Sequence, residues 1–390
     1  MKRGRFLSQL SAGHFLIDSY SSMLPAFLPF LHRELGLTLG EAGLAAGVLT
    51  VSAALMQPVY GFLADRWQSG LFVALAPATA AVFISVLGLV ETVPQLLLAV
   101  FLGGVGIASF HPQAAALVTA NAGVRKGFSL SIFFGSGMLG YAIGPVSITL
   151  VIGFVGLGNS YWAALPGVAM TCYLLAVGKV GQRARQEPAP RADLWSLIAG
   201  RWRPLFRLYV LVVIRSVVQM VFVAFLPLYF TSLGHTNLEA SSLLTVFLLA
   251  GGTASLFGGS LADRIGGGRV ILISMAGLGP CLLGFLYSGG LTSIVLCAAA
   301  GGFLLLTTPV NIAMAQKLVP GGSGTVSALM MGFAWGVGGL LVPVVGVVSE
   351  TWGLGPVLAV VALVTVPGIF LSLPLAGAQD RPETLEPERA

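Results

Sequence analysis

Leu63-Ala64-Asp65-Arg66 is a tetrapeptide that the chain uses twice, the second time as Leu261-Ala262-Asp263-Arg264, at an offset of 198 residues. Two further pairs keep this offset: Ala26-Phe27-Leu28-Pro29 with Ala224-Phe225-Leu226-Pro227, and Pro145 with Pro343. One shared tetrapeptide could arise by chance, whereas three anchors at one offset indicate an internal duplication. The sequence therefore predicts two halves that contain the same elements in the same order.

The composition around this repeat is strongly apolar. Hydrophobic residues make up 56% of the 390 residues and charged residues 9%, with a mean hydropathy of +0.93. Soluble domains carry about 25% charged residues. The net charge of +6 does not indicate nucleic-acid binding, because the basic residues are scattered over short, separate loops. The composition predicts an integral membrane protein whose solvent is the lipid bilayer.

Apolar stretches long enough to cross a bilayer, about 20 residues, occur six times in each half. We number them spans 1 to 12: 7–31, 42–64, 71–90, 95–119, 128–154 and 160–179, then 206–231, 239–262, 270–288, 292–315, 325–348 and 355–375. These stretches are too long for barrel strands, so we expect helices. The predicted fold class is an all-α integral membrane protein of twelve transmembrane helices in two six-helix halves.

The basic residues predict the topology. With the N-terminus inside, eighteen of the twenty Lys and Arg residues fall on the cytoplasmic side, Arg33 lies outside and Arg215 lies within a span. An even number of spans then leaves both termini in the cytoplasm. The N-terminal apolar stretch follows basic residues as a signal peptide would, but it runs on to about residue 31 and we expect it to remain as span 1.

Polar stretches predict the division of the chain. We expect an N-terminal six-helix half over residues 1–180, a cytoplasmic linker over 181–203, a C-terminal six-helix half over 204–376 and a cytoplasmic tail over 377–390. Two six-helix halves related by a repeat are the plan of many secondary transporters.

Two of the quoted stretches, in fuller form, resemble the signature loop of the major facilitator superfamily. They are Gly61 to Arg66, followed by Trp67-Gln68-Ser69 in place of the usual Gly and basic residues, and the better-fitting Gly259 to Arg269. Gly140 to Pro145 resembles part of the antiporter motif of span 5, although Ser131 replaces its upstream Gly. The resemblance implies alternating-access transport, normally by a monomer.

Within that superfamily, the chain is similar to the fosmidomycin-resistance-type efflux proteins. The likeness rests on three stretches, Gly13 to Asp18, Leu24 to Pro29 and Phe110 to Gln113. It implies proton-driven export of a small drug or metabolite across the inner membrane. Many drug exporters carry an Arg early in span 4; Val100 stands there in this chain, so that role is not carried over.

Other functions stay open or are disfavoured. An uptake symporter on the same fold and a transporter-like sensor that binds without moving its ligand both remain alternatives. A membrane enzyme is disfavoured, because the sequence has no HExxH, no Cys/His ligand set and no paired acids. We expect no metal and no cofactor, and the absence of a GxxxxGK[ST] motif makes an ion gradient the source of energy.

Four ionisable residues lie deep in the spans, where a charge is costly and is a functional candidate by default. Asp18 is the acid well inside a span, and His14 precedes it by four residues, on the same helix face. We expect Asp18 to carry the proton, with His14 or His111 as its relay or as a substrate contact. Arg215, which the offset aligns with the neighbour of Asp18, should hold an anionic substrate group or pair with Asp18 when substrate is absent. The structural alternative is a permanent Asp18–Arg215 pair with hydrogen-bonded interior histidines.

Two further groups complete the predicted site. Polar and aromatic residues expected near the substrate are Gln219, Gln113, Asn311, Tyr141 and Trp335. Pro112 is expected to kink span 4. The superfamily resemblance implies that the signature loops clasp the outward-facing state at the cytoplasmic end, the alternative being surface ion pairs; their residues are Asp65, Arg66, Asp263 and Arg264.

Overall fold

The computed structural model is helical throughout the residues that it describes, which are 3–67, 70–121, 126–177, 202–319, 326 and 329–377. Spans 1 to 6 comprise Arg3–Ser21 with Leu24–Leu35, Leu39–Trp67, Leu71–Ser85 with the 3-10 turn Val86–Leu89, Val93–Asn121, Lys126–Val155, and the 3-10 segment Leu157–Ala164 with Leu165–Val177. Spans 7 to 12 comprise Trp202–Ser232, Asn237–Ile265, Gly267–Tyr287, Gly290–Leu306 with Thr308–Leu318, the π-helical Leu329–Phe333 with Ala334–Trp352, and Leu354–Leu363 with Thr365–Gly377. The all-α fold class is confirmed.

Eleven helical stretches of the described chain are long and apolar enough to cross a membrane. Span 1 is not among them: its helix stops at Ser21 and restarts at Leu24, and the first piece is polar for its length because it carries Arg3, Arg5 and Asp18. The two pieces have 19 and 12 residues, and the first carries His14 and Asp18. Span 1 nevertheless packs inside the bundle, its first helix against spans 4 and 5 and its second against span 7.

The breaks in spans 1 and 10 each precede a proline. Pro25 and Pro309 lie in the first turn of the helix that follows each break, the position where a missing N–H costs least. In span 4, by contrast, the helix Val93–Asn121 is not interrupted at Pro112. The helices of spans 1 and 10 extend two to four residues beyond the predicted bounds at each end, and each span is two helices.

The internal repeat also appears in the helix starts. Thr38 and Glu41 form reciprocal hydrogen bonds at the start of span 2, with N–O distances of 2.9 and 3.1 Å. Thr236 and Glu239, at the same offset of 198 residues, form the same capping box at the start of span 8, with distances of 2.8 and 3.2 Å. Two backbone donors are satisfied in each box, so the duplication extends to local hydrogen bonding.

Spans 1–6 meet spans 7–12 closely at one end of the bundle, which we call the Glu350 end. There the backbone N–H of Gly40 donates to Oε1 of Glu350 at 2.7 Å. A Cβ added at Gly40, Gly43 or Gly47 of span 2 would lie 2.8 Å from an atom of span 11. Only glycine allows the two helices this approach. At the same end, Thr149 of span 5 and Ser241 of span 8 share a hydrogen bond of 2.7 Å.

At the opposite end, which we call the Asp65 end, the described residues of the same helices lack such close approaches. Among the described residues, no atom of another element lies within 4 Å of a Cβ built at Gly61, Gly336, Gly135 or Gly259. Spans 7–12 have a separate apolar cluster here, around Leu208, and among the described residues it contains no member from spans 1–6. Of the predicted linker, residues 202 and 203 belong to the helix of span 7; the rest of it, and the tail after Gly377, lie outside the described residues.

Candidate functional site

Asp18 is at the centre of a three-residue cluster that joins spans 1 and 4. Its Oδ1 lies 2.9 Å from Nε2 of His111, with hydrogen-bond geometry. Its Oδ2 lies 3.2 Å from Nε2 of His14, one turn earlier on the same helix. The side chains of Asp18 and His111 are 17% and 25% exposed, whereas that of His14 is 3% exposed. The three residues therefore lie close enough to act together, as the sequence predicts, and the side chains of Asp18 and His111 are partly exposed.

Backbone carbonyls hold the other nitrogen of each imidazole. Nδ1 of His14 lies 2.8 Å from the carbonyl oxygen of Phe133, and Nδ1 of His111 lies 3.0 Å from that of Ile107. A carbonyl oxygen can only accept a hydrogen bond, so both Nδ1 atoms are donors. Both Nε2 atoms are thereby aimed at the carboxylate of Asp18.

Span 5 encloses this cluster with an aromatic ring and a glycine. The ring of Phe133 stacks on His14 at 4.1 Å between centroids. A Cβ on Gly137 would lie 2.5 Å from Oδ2 of Asp18 and 2.6 Å from Nε2 of His14. The absence of a side chain at Gly137 leaves the space that the proton-site candidates occupy.

The same three residues are also a candidate metal site. In the described chain, their ligand atoms all lie within 4.8 Å of one another, which is close enough to hold a metal ion. The distances of 2.9 and 3.2 Å between Nε2 and carboxylate oxygens match hydrogen bonds or ion pairs. Hydrogen bonding accounts for the geometry without an ion, and the expectation of no metal or cofactor stays a prediction.

Arg215 of span 7 is 2% exposed and is surrounded by neutral groups. Its Nη1 donates to Oγ1 of Thr308 at 3.1 Å and, more weakly, to Oε1 of Gln219 at 3.4 Å. Its Nε has no hydrogen-bond partner, and no described carboxylate lies within the 4.0 Å of an ion pair. Arg215 and Asp18 form no ion pair in this structure, and the two described ion-pair partners of Asp18 are His14 and His111.

The two charged sites are related by the internal repeat. His111 contacts Asp18 across 93 residues, and Thr308 contacts Arg215 across 93 residues. Both contacts join the first span of a half to its fourth. Gln113 and Asn311, at the offset of 198 residues, are 6% and 4% exposed, and each has a buried amide atom without a partner. One scaffold thus carries an acid with two histidines in one half and an arginine with a threonine in the other.

The remaining predicted substrate contacts differ in burial. Gln219 is buried beside Arg215, and Tyr141 is partly buried on span 5. Trp335 has a buried indole N–H without a partner, one turn before Gly338, where a Cβ would touch Ser216. Sequence reasoning missed Thr308, which lies directly after the break in span 10; the adjacent Pro309 was the available signal.

The signature loops end at the open Asp65 end. Asp263 and Arg264 are exposed, and neither side chain has a hydrogen-bond or ion-pair partner in the described part of the chain. The side chains of Asp65 and Arg66 lie outside the described residues. The clasp that the sequence predicts is not formed by Asp263 in this structure.

A cavity of about 510 Å³ lies at the Glu350 end, away from both charged sites. Its lining includes His32 and Arg33 in the last turn of span 1, His235 after span 7, and Ser349 of span 11. None of the predicted substrate contacts lines it.

Sequence comparisons identify the family, and a structure comparison shows the same fold. The sequence profile of the Major Facilitator Superfamily matches residues 10–343. The uncharacterized MFS-type transporter YfnC of Bacillus subtilis (strain 168) is 29% identical over 378 residues, 92% of this chain and 90% of YfnC. The fosmidomycin resistance protein of Escherichia coli (strain K12) is 27% identical over 371 residues, 93% of this chain and 91% of that protein. An inward-facing, unoccupied bacterial homologue of the human lysosomal transporter Spinster shares the fold, with a TM-score of 0.80 over 98% of this chain and 99% of that one, at 13% identity.

Proposed function

Because the chain belongs to the Major Facilitator Superfamily and is a membrane transporter rather than an enzyme, we propose that it exports a small anion in exchange for protons. Spans 1–6 hold the protons at Asp18, and spans 7–12 hold the anion at Arg215. The proton gradient drives the exchange, so no bound cofactor is required. The lipid bilayer and a small-molecule substrate are its partners.

One observation carries this proposal: the two deep charges lie on the corresponding spans 1 and 7, one position apart in the repeat, but are not paired with each other. Asp18 has two imidazoles at hydrogen-bond or ion-pair distance, which are the side chains best suited to exchange protons near neutral pH. Arg215 has neutral partners only. A permanent structural pair would have brought the two charges together, so separate roles explain the arrangement better.

The surroundings of Arg215 favour an anionic substrate group. The Nε atom of Arg215 and the indole N–H of Trp335 are buried donors without partners. A buried donor that lacks an acceptor costs free energy, about 1–3 kcal/mol, which an oxyanion would recover on binding. The planar guanidinium fork matches phosphonate and carboxylate oxygens. Gln219, Asn311, Gln113 and Tyr141 complete the proposed substrate contacts.

The state of the structure supports loading from the cytoplasm. In this proposal the Asp65 end, where the described glycines make no close contact, is the open end, and the positive-inside rule would put that end and both termini in the cytoplasm. In this proposal the clasp residues Asp65, Arg66, Asp263 and Arg264 engage only when the halves rock and the Glu350 end opens. We further infer that the protein is a monomer in the inner membrane. The cytoplasmic location of the C-terminus can be tested with two C-terminal fusions: green fluorescent protein should fluoresce, and a periplasmic phosphatase should be inactive.

Transport by purified protein tests the proposal. Proteoliposomes with a lumenal pH dye and an imposed proton gradient receive fosmidomycin, a phosphonate. We expect wild type to dissipate the gradient when fosmidomycin is added and Asp18→Asn to fail. Glu91→Gln makes the same carboxyl-to-amide change in an exposed loop and should behave as wild type.

Two outcomes contradict the proposal. Unchanged proton flux in Asp18→Asn removes the proton role of Asp18. Proton flux in the same direction as fosmidomycin flux, followed with labelled compound, identifies an uptake symporter instead of an exporter.

A further inference from the structure

Proton positions in the Asp18 cluster can be counted from its hydrogen bonds. The carbonyl oxygens of Phe133 and Ile107 accept from Nδ1 of His14 and His111. Each imidazole therefore keeps one proton at Nδ1 whatever its charge, and any second proton must be at Nε2. This is the less usual tautomer for a neutral histidine, and the backbone of spans 4 and 5 imposes it.

The two Nε2 atoms face one carboxylate. In a neutral imidazole with its proton on Nδ1, Nε2 carries only a lone pair and is an acceptor. Carboxylate oxygens are acceptors too, so the contacts at 2.9 and 3.2 Å would be repulsive without a proton in each. One shared proton could satisfy one contact but would leave the other repulsive.

From this geometry we propose that the His14–Asp18–His111 cluster holds two exchangeable protons in this structure, one between each Nε2 and its carboxylate oxygen. The inference rests on the proposed proton-coupled export and deepens it by giving the number of protons and their atoms. With two protons the cluster has a net charge of +1, and after losing both it has a net charge of −1.

Release of the two protons removes the attraction between span 4 and span 1 at this point. His111 is the residue of the cluster that belongs to span 4, so its contact with Asp18 is the one that breaks between helices. Loss of the protons to the open end therefore loosens the packing of spans 1 and 4, which couples proton release to movement within this half.

Other titratable groups do not supply the missing protons. The first helix of span 1 packs against spans 3, 4, 5 and 6. Besides His111, the titratable side chains described on those spans are Tyr141, Tyr161, Cys172 and Tyr173. None of these forms a hydrogen bond or ion pair with Asp18, and Tyr173 accepts from Gln9. Arg215 makes no ion pair with Asp18 either.

Nitrogen NMR of the histidine rings tests the count, because the chain has only four histidines. Protein labelled with ¹⁵N-histidine is placed in lipid nanodiscs with a chelator and titrated from about pH 5 to about pH 9, a range that covers imidazole titration. His32 is a matched internal control: its Nδ1 also contacts a carbonyl oxygen, that of Leu37, at 2.5 Å, but it forms no ion pair with a carboxylate. A variant with His32→Asn and His235→Asn leaves only the two cluster signals.

We expect both cluster imidazoles to carry protons on both nitrogens at the acidic end and to become Nδ1–H tautomers at the alkaline end, each losing one proton from Nε2. An Nε2–H tautomer for either ring, or a change in only one ring, overturns the two-proton count. This measurement needs no transported compound. The two-proton count can therefore be refuted while fosmidomycin still drives proton flux, and proton-coupled export can be refuted while the two-proton count holds.

Discussion

At the scale of the residue, Asp18 and Arg215 differ in what compensates their charge. Asp18 is 17% exposed and has an imidazole near each oxygen, whereas Arg215 is 2% exposed and has only hydroxyl and amide oxygens. Placing an uncompensated charge inside a membrane costs a few kcal/mol at least. Of these two residues, Arg215 is therefore the charged group that lacks a compensating charge in the described chain, and a bound anion would supply it.

Replacement of Arg215 tests that requirement. Arg215→Gln should weaken fosmidomycin binding by about tenfold to a hundredfold, because a charge-assisted hydrogen bond is worth about 1.5–3 kcal/mol. Arg215→Lys should restore part of the affinity, since the charge remains but the fork is lost. Isothermal titration of purified protein measures both. Arg207→Gln is the control, an exposed arginine on the same span, and a similar loss there would refute a specific role for Arg215.

The sequence predicted the members of the proton cluster better than their partners. The spacing of His14 and Asp18 fixes a shared helix face, and the depth of His111 within span 4 places it at a comparable height. Depth along a span says nothing about lateral distance between helices. For that reason the sequence suggested an Asp18–Arg215 contact that the packing does not make, and it gave no sign that Gly137 borders the cluster.

At the scale of the element, span 5 fits span 1 through a row of glycines. A Cβ on Gly137 would reach Asp18 and His14, and a Cβ on Gly140 or Gly144 would collide with the carbonyl oxygen of Phe15 or Ser19. The row repeats small residues at helical spacing, as close helix contacts in membranes require. Helix packing and the proton cluster therefore depend on the same face of span 5.

A pair of alanine substitutions separates these contacts from general helix effects. Gly137→Ala should destabilise the protein by about 1–3 kcal/mol, the cost of overpacking, and abolish proton coupling by displacing Asp18 or His14. Gly135→Ala lies two residues away, where no atom of another element is within 4 Å, and should leave both unchanged. Thermal unfolding and the proteoliposome assay measure the two effects. Equal behaviour of the two variants would show that Gly137 has no special place beside the cluster.

Hydropathy located the spans but not their interruptions. Spans 1 and 10 are continuous apolar stretches in sequence, and each is two helices in the structure. Pro25 and Pro309 begin the second helices, whereas the helix of span 4 continues through Pro112. A proline in a span therefore does not by itself predict a break.

At the scale of the whole molecule, the internal duplication predicted the fold, whereas the packing of the helices determines which end of the bundle is closed. The offset of 198 residues recurs in the capping boxes of spans 2 and 8 and relates the positions of Gln113 and Asn311. Which end is closed could not be predicted, because the two ends use the same helices with different glycines. The hydrogen bond from Gly40, at the start of span 2, to Glu350 of span 11 is the clearest polar link between the halves at the Glu350 end.

Removal of that link should shift the balance between states. The carboxylate of Glu350 accepts from Gly40 at a helix N-terminus, where a negative charge is favoured. A charge-assisted bond of about 1.5–3 kcal/mol corresponds to a roughly tenfold or larger change in population. We expect Glu350→Ala to increase the fraction of molecules that are open at the Glu350 end. Double electron–electron resonance between two spin labels placed across that end measures the distance distribution. Glu34→Ala removes an exposed acid at the end of span 1 and should change nothing. An unaltered distance distribution in Glu350→Ala would show that the Glu350–Gly40 hydrogen bond does not hold this end closed.

The central claim is that binding of protons at Asp18 and binding of an anion at Arg215 weaken each other, although the two sites lie in different halves. This thermodynamic linkage between the two binding equilibria can be measured at equilibrium. If protons and substrate compete, substrate binding must release protons and acid must weaken substrate binding by the same coupling.

The most direct test is fosmidomycin affinity of the purified protein as a function of pH, in wild type and in Asp18→Asn. With two protons displaced, we predict that the affinity of wild type falls by up to about a hundredfold per pH unit of acidification, since each proton contributes up to tenfold. Asp18→Asn should lose this dependence. A wild-type affinity that rises with acid, or one that follows pH identically in both proteins, would contradict exchange of the anion for protons held at Asp18.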